Sequence, residues 1–195
     1  MIEEERSNED AHLYHDGAML YVLSYPVLAR ADHERIEAYR RAYEPERARL
    51  VPAHVTLVFG VRSIETRELA SQVAALAWKK SAFEVIFDRA EQTKSPGGVH
   101  NVFLLACEGA LALETMHQEL YAGPLGSELL PGIPFRAHMT VATAASADLI
   151  QPAMKDVPKL GLPIRGLINA LNIVSLENGI LTDAGTFQLK RRQGA

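Results

Sequence analysis

His54-Val55-Thr56-Leu57, inside Val51-Pro52-Ala53-His54-Val55-Thr56-Leu57-Val58-Phe59, decides the reading of this chain, because its pattern returns as His138-Met139-Thr140-Val141 inside Phe135-Arg136-Ala137-His138-Met139-Thr140-Val141-Ala142. In each string a histidine and a threonine stand two apart in an apolar run, the pattern of a strand whose alternate residues share a face. The imidazole and the hydroxyl of each pair therefore point the same way. With 7 histidines and 8 threonines in 195 residues, chance supplies roughly 0.3 such pairs, so two in matching contexts mark one unit used twice.

Working outward, each string follows a proline-containing loop and precedes a helical pattern. Ala18 to Val27 reads as a first strand ending at Pro26, and Asp32 as the cap of a helix with Ile36, Tyr39 and Tyr43 on one face. Glu44 to Ala53 reads as the loop that delivers the first histidine strand. Ser63 then caps a helix to about Lys80, with Glu65 and Glu68 in its first turn and Leu69, Val73 and Leu76 on its buried side. Phe83 to Asp88 and Val99 to Cys107 read as strands joined by the turn Lys94-Ser95-Pro96-Gly97-Gly98.

The order then repeats. Leu113, Met116 and Leu120 mark a helix; Gly123 to Pro134 is a long loop, read as a wall or lid; Ser146 caps a short helix with Leu149, Ile150, Ala153 and Met154 on its apolar side. The intervals from Val27 to His54 and from Cys107 to His138 are nearly equal, which implies pseudo-twofold symmetry. Ile164 to Leu176 and Ile180 to Leu189 flank Asn178-Gly179, a favoured hairpin turn, and Lys190-Arg191-Arg192 reads as a solvated basic end.

Apolar content of 48%, charged content of 23% and a formal charge of −4 describe a globular chain without the broad basic surface of a non-specific nucleic-acid binder. A small phosphorylated ligand or an RNA end in a local basic pocket remains compatible. The single cysteine, Cys107, excludes an internal disulfide and reads as a small apolar residue of a buried strand. The acidic first residues lack the features of a signal peptide, so the expected location is cytoplasmic, with no membrane association. Residues 1–17 are expected to form a flexible N-terminal arm and residues 18–195 a single bilobal domain, monomeric, with motifs at 54–57 and 138–141. His12 and His15, three apart in the arm, have no other ligands nearby, and no metal site is read from them.

Two imidazoles brought to one cleft suit phosphodiester chemistry. With an ordinary pKa of about 6.5, one ring can be neutral and the other protonated near neutral pH, as a general base and a general acid must be together. Threonine hydroxyls on the same face can hydrogen-bond the non-bridging oxygens where charge is held in the transition state. Arg136, two residues before His138, is a further candidate for binding phosphate. Tyr25, Tyr121 and Phe135 are candidates by position for stacking a base. No Gly-x-Ser-x-Gly elbow, phosphate-binding P-loop, His-Glu-x-x-His or dinucleotide glycine pattern competes, and His33, His100 and His117 read as structural or exposed.

The two histidine strings resemble the motifs of the two-histidine (2H) phosphoesterase superfamily, which includes RNA 2′,3′-cyclic phosphodiesterases and 2′,5′ RNA ligase-like proteins. Tyr39-Arg40-Arg41-Ala42-Tyr43-Glu44-Pro45 ahead of the first string is similar to the entry to that motif in some bacterial members. The resemblance implies an α+β fold, bilobal and pseudo-twofold, with two antiparallel sheets lining a central cleft and helices outside. It implies catalytic His54 and His138, phosphate-binding Thr56 and Thr140, and no metal or other cofactor, with His138 read as base and His54 as acid. The neutral Val141-Ala142-Thr143-Ala144 departs from members that carry a basic residue there, which weighs against a long RNA substrate. The implied activity is hydrolysis of 2′,3′-cyclic phosphates on nucleotides or RNA ends. The alternatives are making or cleaving 2′,5′ linkages, or a non-catalytic nucleotide- or RNA-binding module of the same fold.

Overall fold

Both histidine strings form strands, and the two strands are neighbours in one sheet. The computed structural model describes residues 18–129 and 132–191; the expected arm, with His12 and His15, lies outside them. The elements in order are β1 (Met19–Ser24), β2 (Val27–Leu28), α1 (Arg30–Tyr43), α2 (Pro45–Leu50), β3 (Val55–Val61), α3 (Thr66–Lys79), β4 (Phe83–Lys94), β5 (His100–Glu108), α4 (Ala110–Tyr121), β6 (His138–Ala144), α5 (Ala147–Asp156), β7 (Ile164–Ile168), β8 (Ala170–Glu177) and β9 (Ile180–Gln188).

The strands run β2-β7-β4-β5-β6-β3-β1-β8-β9 in a nine-stranded antiparallel sheet. The two expected sheets are its halves, β9-β8-β1-β3 and β6-β5-β4-β7-β2. They meet at β3 and β6 through the pair Val55–Met139. The unit β1-α1-β3-α3 in the first half corresponds to β5-α4-β6-α5 in the second, which is the pseudo-symmetry implied by the sequence.

Alternation sorts these strands into two faces. Val55 and Leu57 of β3, Val102 and Leu104 of β5, and Met139 and Val141 of β6 enter one continuous core with Ile36 of α1, Leu69 and Val73 of α3, Leu113 and Met116 of α4, and Ile150 of α5. Helices therefore cover that face. Phe103, His138 and Thr140, at the alternate positions, are only partly buried, as are His54 and Thr56.

Several local expectations shift. The first strand stops at Ser24, and Val27–Leu28 crosses to pair with β7 in the other half. Asp32 does not cap α1; it lies in the first turn and pairs with Arg35. Glu44 to Ala53 is not all loop, because Pro45 opens α2, where its missing N–H costs nothing. Glu65, not Ser63, occupies the N-cap of α3. The stretch from Ile164 breaks at Asn169 into two strands that belong to opposite halves. Leu149 is exposed on α5, while Ile150 and Ala153 are buried. Cys107 is exposed, on the rim of a shallow recess with Lys80, Phe83 and Leu111. Ser146 caps α5 as expected, accepting the Leu149 N–H, and Asn178-Gly179 turns the β8–β9 hairpin with positive φ at both residues. The loop from Gly123 opens with a 3-10 turn whose Leu125 is fully buried, so its first part is pinned to the core. Among the described residues no helix is long and apolar enough to cross a membrane.

Where α5 ends, the Val157 N–H turns back to the Met154 carbonyl, and the buried Tyr39 hydroxyl donates to the Ala153 carbonyl at 2.5 Å. Tyr43, one helical turn on, bonds the half-buried carboxylate of Asp156, which Lys159 also pairs. Leaving a buried carbonyl without its donor costs about 1–3 kcal/mol. Tyr39→Phe is accordingly expected to lower unfolding free energy in urea by about that amount and Tyr43→Phe by clearly less; equal losses would contradict the packing described.

Candidate active site

The register at the junction assembles the site. Extending the Val55–Met139 pair by one residue each way sets His54 opposite Thr140 and Thr56 opposite His138. Val55 and Met139 point into the core, so the four flanking residues share the opposite face. The two histidines form one diagonal of this square and the two threonines the other, with diagonal Cα separations of about 7–8 Å. Two rings at that spacing can address opposite sides of one phosphate.

Each ring is oriented in the same way. His54 Nδ1 lies 2.7 Å from the carbonyl oxygen of Pro52, and His138 Nδ1 lies 2.6 Å from that of Arg136. A carbonyl only accepts, so each Nδ1 carries the hydrogen and each neutral ring keeps its lone pair on Nε2. The repeated His-minus-two carbonyl is the local device that leaves Nε2 available for proton transfer.

Their surroundings differ. Phe103 on β5 stacks on His138, with centroids 3.7 Å apart and planes at 22°. Tyr25 meets His54 edge-on at 6.2 Å. Burial lowers both imidazole pKa values, that of His54 to about 4, and the further lowering charges are Arg40 and Arg47 beside His54, and Arg136 beside His138. The two rings also disfavour each other's protonation, since His138 is among the causes that lower His54. Burial therefore favours neutral rings in the empty site, and a bound anion, whose charge would raise both pKa values, favours their protonation.

Arg136 lies at this site, but its guanidinium is gripped by both carboxylate oxygens of Glu91, at 3.0 and 2.5 Å. Of the stacking candidates, Tyr25 lies against His54, whereas Tyr121 and Phe135 pack around the buried His117, Phe135 at a ring distance of 4.2 Å. His117 is structural, with Nδ1 at 2.8 Å from the Leu57 carbonyl, and His33 is exposed. Among the described residues, no group of three or more His, Cys, Asp and Glu side chains could hold a metal ion.

Sequence reading missed Phe103, whose position against His138 follows from the β5–β6 register and not from any local pattern. It also missed a buried polar cluster behind His54. Arg40 donates to Glu44 at 2.6 Å and to the Val51 carbonyl at 2.9 Å, Glu37 accepts from Arg40 and from the Ala53 N–H, and Thr143 of β6 hydrogen-bonds both Glu44 and Asn101. The spacing of Glu37, Arg40 and Glu44 along one side of a helix was the available signal.

Similar proteins share this architecture. Apo E. coli LigT aligns with a TM-score of 0.56 at 17% identity, covering 90% of this chain and 99% of that one. The E. coli LigT complex with 3′-AMP aligns at 0.55 and 16%, covering 88% and 98%. Kluyveromyces marxianus Usb1 aligns at 0.55 and 12%, covering 88% and 98%. A search of curated proteins found no match. The family model of the 2′-5′ RNA ligase superfamily matches residues 27–180, and the chain, with both histidine motifs inside that span, belongs to this superfamily of two-histidine phosphoesterases.

Proposed function

We propose that the protein is a metal-independent cyclic phosphodiesterase that opens 2′,3′-cyclic phosphates on nucleotides or RNA ends. The observation that carries this reading is the diagonal pair of imidazoles, each with Nδ1 committed to a backbone carbonyl and Nε2 left for chemistry. The ligands of E. coli LigT, solved with 3′-AMP and with phosphate, are of the same chemical class.

Water attacks phosphorus and loses a proton to one Nε2, the bond from phosphorus to one ribose oxygen breaks, and that oxygen takes a proton from the other Nε2. Thr56 and Thr140 donate hydrogen bonds to the non-bridging oxygens. Burial lowers both rings, so either can serve as the neutral base in the empty site, and the assignment read from the sequence, His138 as base and His54 as acid, is kept. Arg136 serves phosphate only when a ligand displaces Glu91. The superfamily also favours a second substrate, a 2′,5′-linked oligonucleotide, acted on by the same pair.

Hydrolysis of nucleoside 2′,3′-cyclic monophosphates in EDTA is expected to persist in the wild type and to fall by about 10²–10⁴ in kcat for His54→Ala and for His138→Ala alike. Activity retained in either variant, or abolished by the chelator alone, would overturn the mechanism. If the wild type is inactive on these substrates, 2′,5′-linked oligonucleotides are the second arm.

The pH dependence follows from the same groups. Activity falls on the acid side as the base is protonated and on the basic side as the acid loses its proton, and both limbs lie below the ordinary imidazole value because burial lowers both rings, His54 to about 4. The expected bell in kcat/KM therefore peaks below about pH 6.5, and the bell in kcat lies at higher pH because bound anion raises both pKa values. A kcat/KM that climbs steadily through neutral pH would contradict the assignment.

A further inference from the structure

The two histidines are held from behind by different means. Ala137, just before His138, is fixed by the sheet, its carbonyl accepting the Ala106 N–H at 3.0 Å. His54 has no such support. β1 ends at Ser24, paired with Val55, and Tyr25-Pro26 follows, so residues 51–54 run past the end of the ladder on that side. A proline could not have extended that ladder.

Side chains of α1 take the place of the missing strand. The carbonyl that orients His54 belongs to Pro52, and the residues on either side of Pro52 are both anchored. Arg40 Nη1 donates to the Val51 carbonyl at 2.9 Å, and the Ala53 N–H donates to Glu37 Oε1 at 2.7 Å. Arg40 and Glu37 are themselves bonded at 3.2 Å, and Arg40 Nε is fixed to Glu44 at 2.6 Å. Arg40 is 1% exposed and Glu44 5% exposed, so the clamp is desolvated and rigid. Its far end reaches Thr143 on β6, the strand of His138.

We infer that Arg40 and Glu37 are positioning residues for catalysis: together they clamp the Val51–Ala53 segment so that the Pro52 carbonyl holds His54 with Nε2 presented to the substrate. Neither touches the reacting atoms. Releasing the segment frees the Pro52 carbonyl, and His54 then loses both its single tautomer and its aim. A misplacement of about 1 Å in such a group can cost about 10²-fold in rate.

This inference rests on the proposed phosphodiesterase site, and the test separates the two. Arg40 is a poor first target, because its loss strands buried carboxylates. Glu37 is the less buried end of the clamp, its side chain 13% exposed, so Glu37→Ala strands no buried carboxylate, and Glu37→Gln keeps an oxygen that accepts the Ala53 N–H. With nucleoside 2′,3′-cyclic monophosphates, Glu37→Ala is expected to lower kcat by about 10- to 100-fold with KM nearly unchanged, and Glu37→Gln to recover most of the loss. Nitrogen-15 NMR of the histidine rings, which needs no turnover, is expected to show His54 wholly as the Nδ1–H form in the wild type and as a mixture in Glu37→Ala.

Wild-type kcat, a loss confined to KM, an unchanged His54 tautomer in Glu37→Ala, or no recovery in Glu37→Gln would each overturn the inference. If Glu37→Ala does not unfold cooperatively, Arg40→Lys, which keeps the charge but cannot reach Glu44 and Val51 together, is read by the same two measurements. Activity surviving in His54→Ala instead refutes the proposed mechanism, and the NMR result still decides whether the clamp orients the ring.

Discussion

The structure depends on one rung of backbone pairing, Val55 against Met139, where the two halves of the sheet meet. Because side chains alternate along a strand, a slip of one residue there would turn His54, Thr56, His138 and Thr140 toward the core and bring Val55 and Met139 to the open face. The core forbids this, since both residues are buried among side chains from several helices. Hydrophobic alternation therefore sets the geometry of the polar site. The square of histidines and threonines is a consequence of apolar packing on the other side of the sheet.

The helices reinforce the junction by crossing it. α1, reached from β1 through the short β2, packs on β6 of the second half, and α4, which follows β5 of the second half, packs on β3 of the first. Each crossing helix brings a polar group to the strand it covers: Glu44, at the end of α1, bonds Thr143 of β6, and His117 of α4 bonds the Leu57 carbonyl of β3. The symmetry is broken where the chemistry needs asymmetry. Phe103 stacks on the ring of His138 and Tyr25 meets that of His54 edge-on, so two equivalent imidazoles lie in different surroundings.

Much of this was legible in the sequence because the signals were local. Period-two alternation, helical stripes such as Leu69, Val73 and Leu76, the Ser146 cap and the Asn178-Gly179 turn each report a preference that the packing leaves in force. Other features depended on pairings distant in sequence. Nothing near Val27 says that two residues leave the first strand to pair with Leu167 and Gly166, and nothing near Asn169 says that an apolar run divides between halves. Cys107 read as buried because its strand is apolar, yet it sits at the exposed end of β5. The histidine and threonine positions were readable because the chemistry repeats their spacing. Phe103, the Glu91 grip on Arg136 and the clamp behind His54 were not, since each joins residues far apart in the chain or buries a charge that composition alone would place in water.

The central claim is that His54 and His138 act on one anion. Its most direct test is an NMR titration of both histidine rings, free and saturated with a nucleoside 2′-monophosphate. The account predicts two depressed pKa values in the free protein and an upward shift of both rings when the ligand binds. A ligand that moves only one ring, or neither, would contradict a shared site.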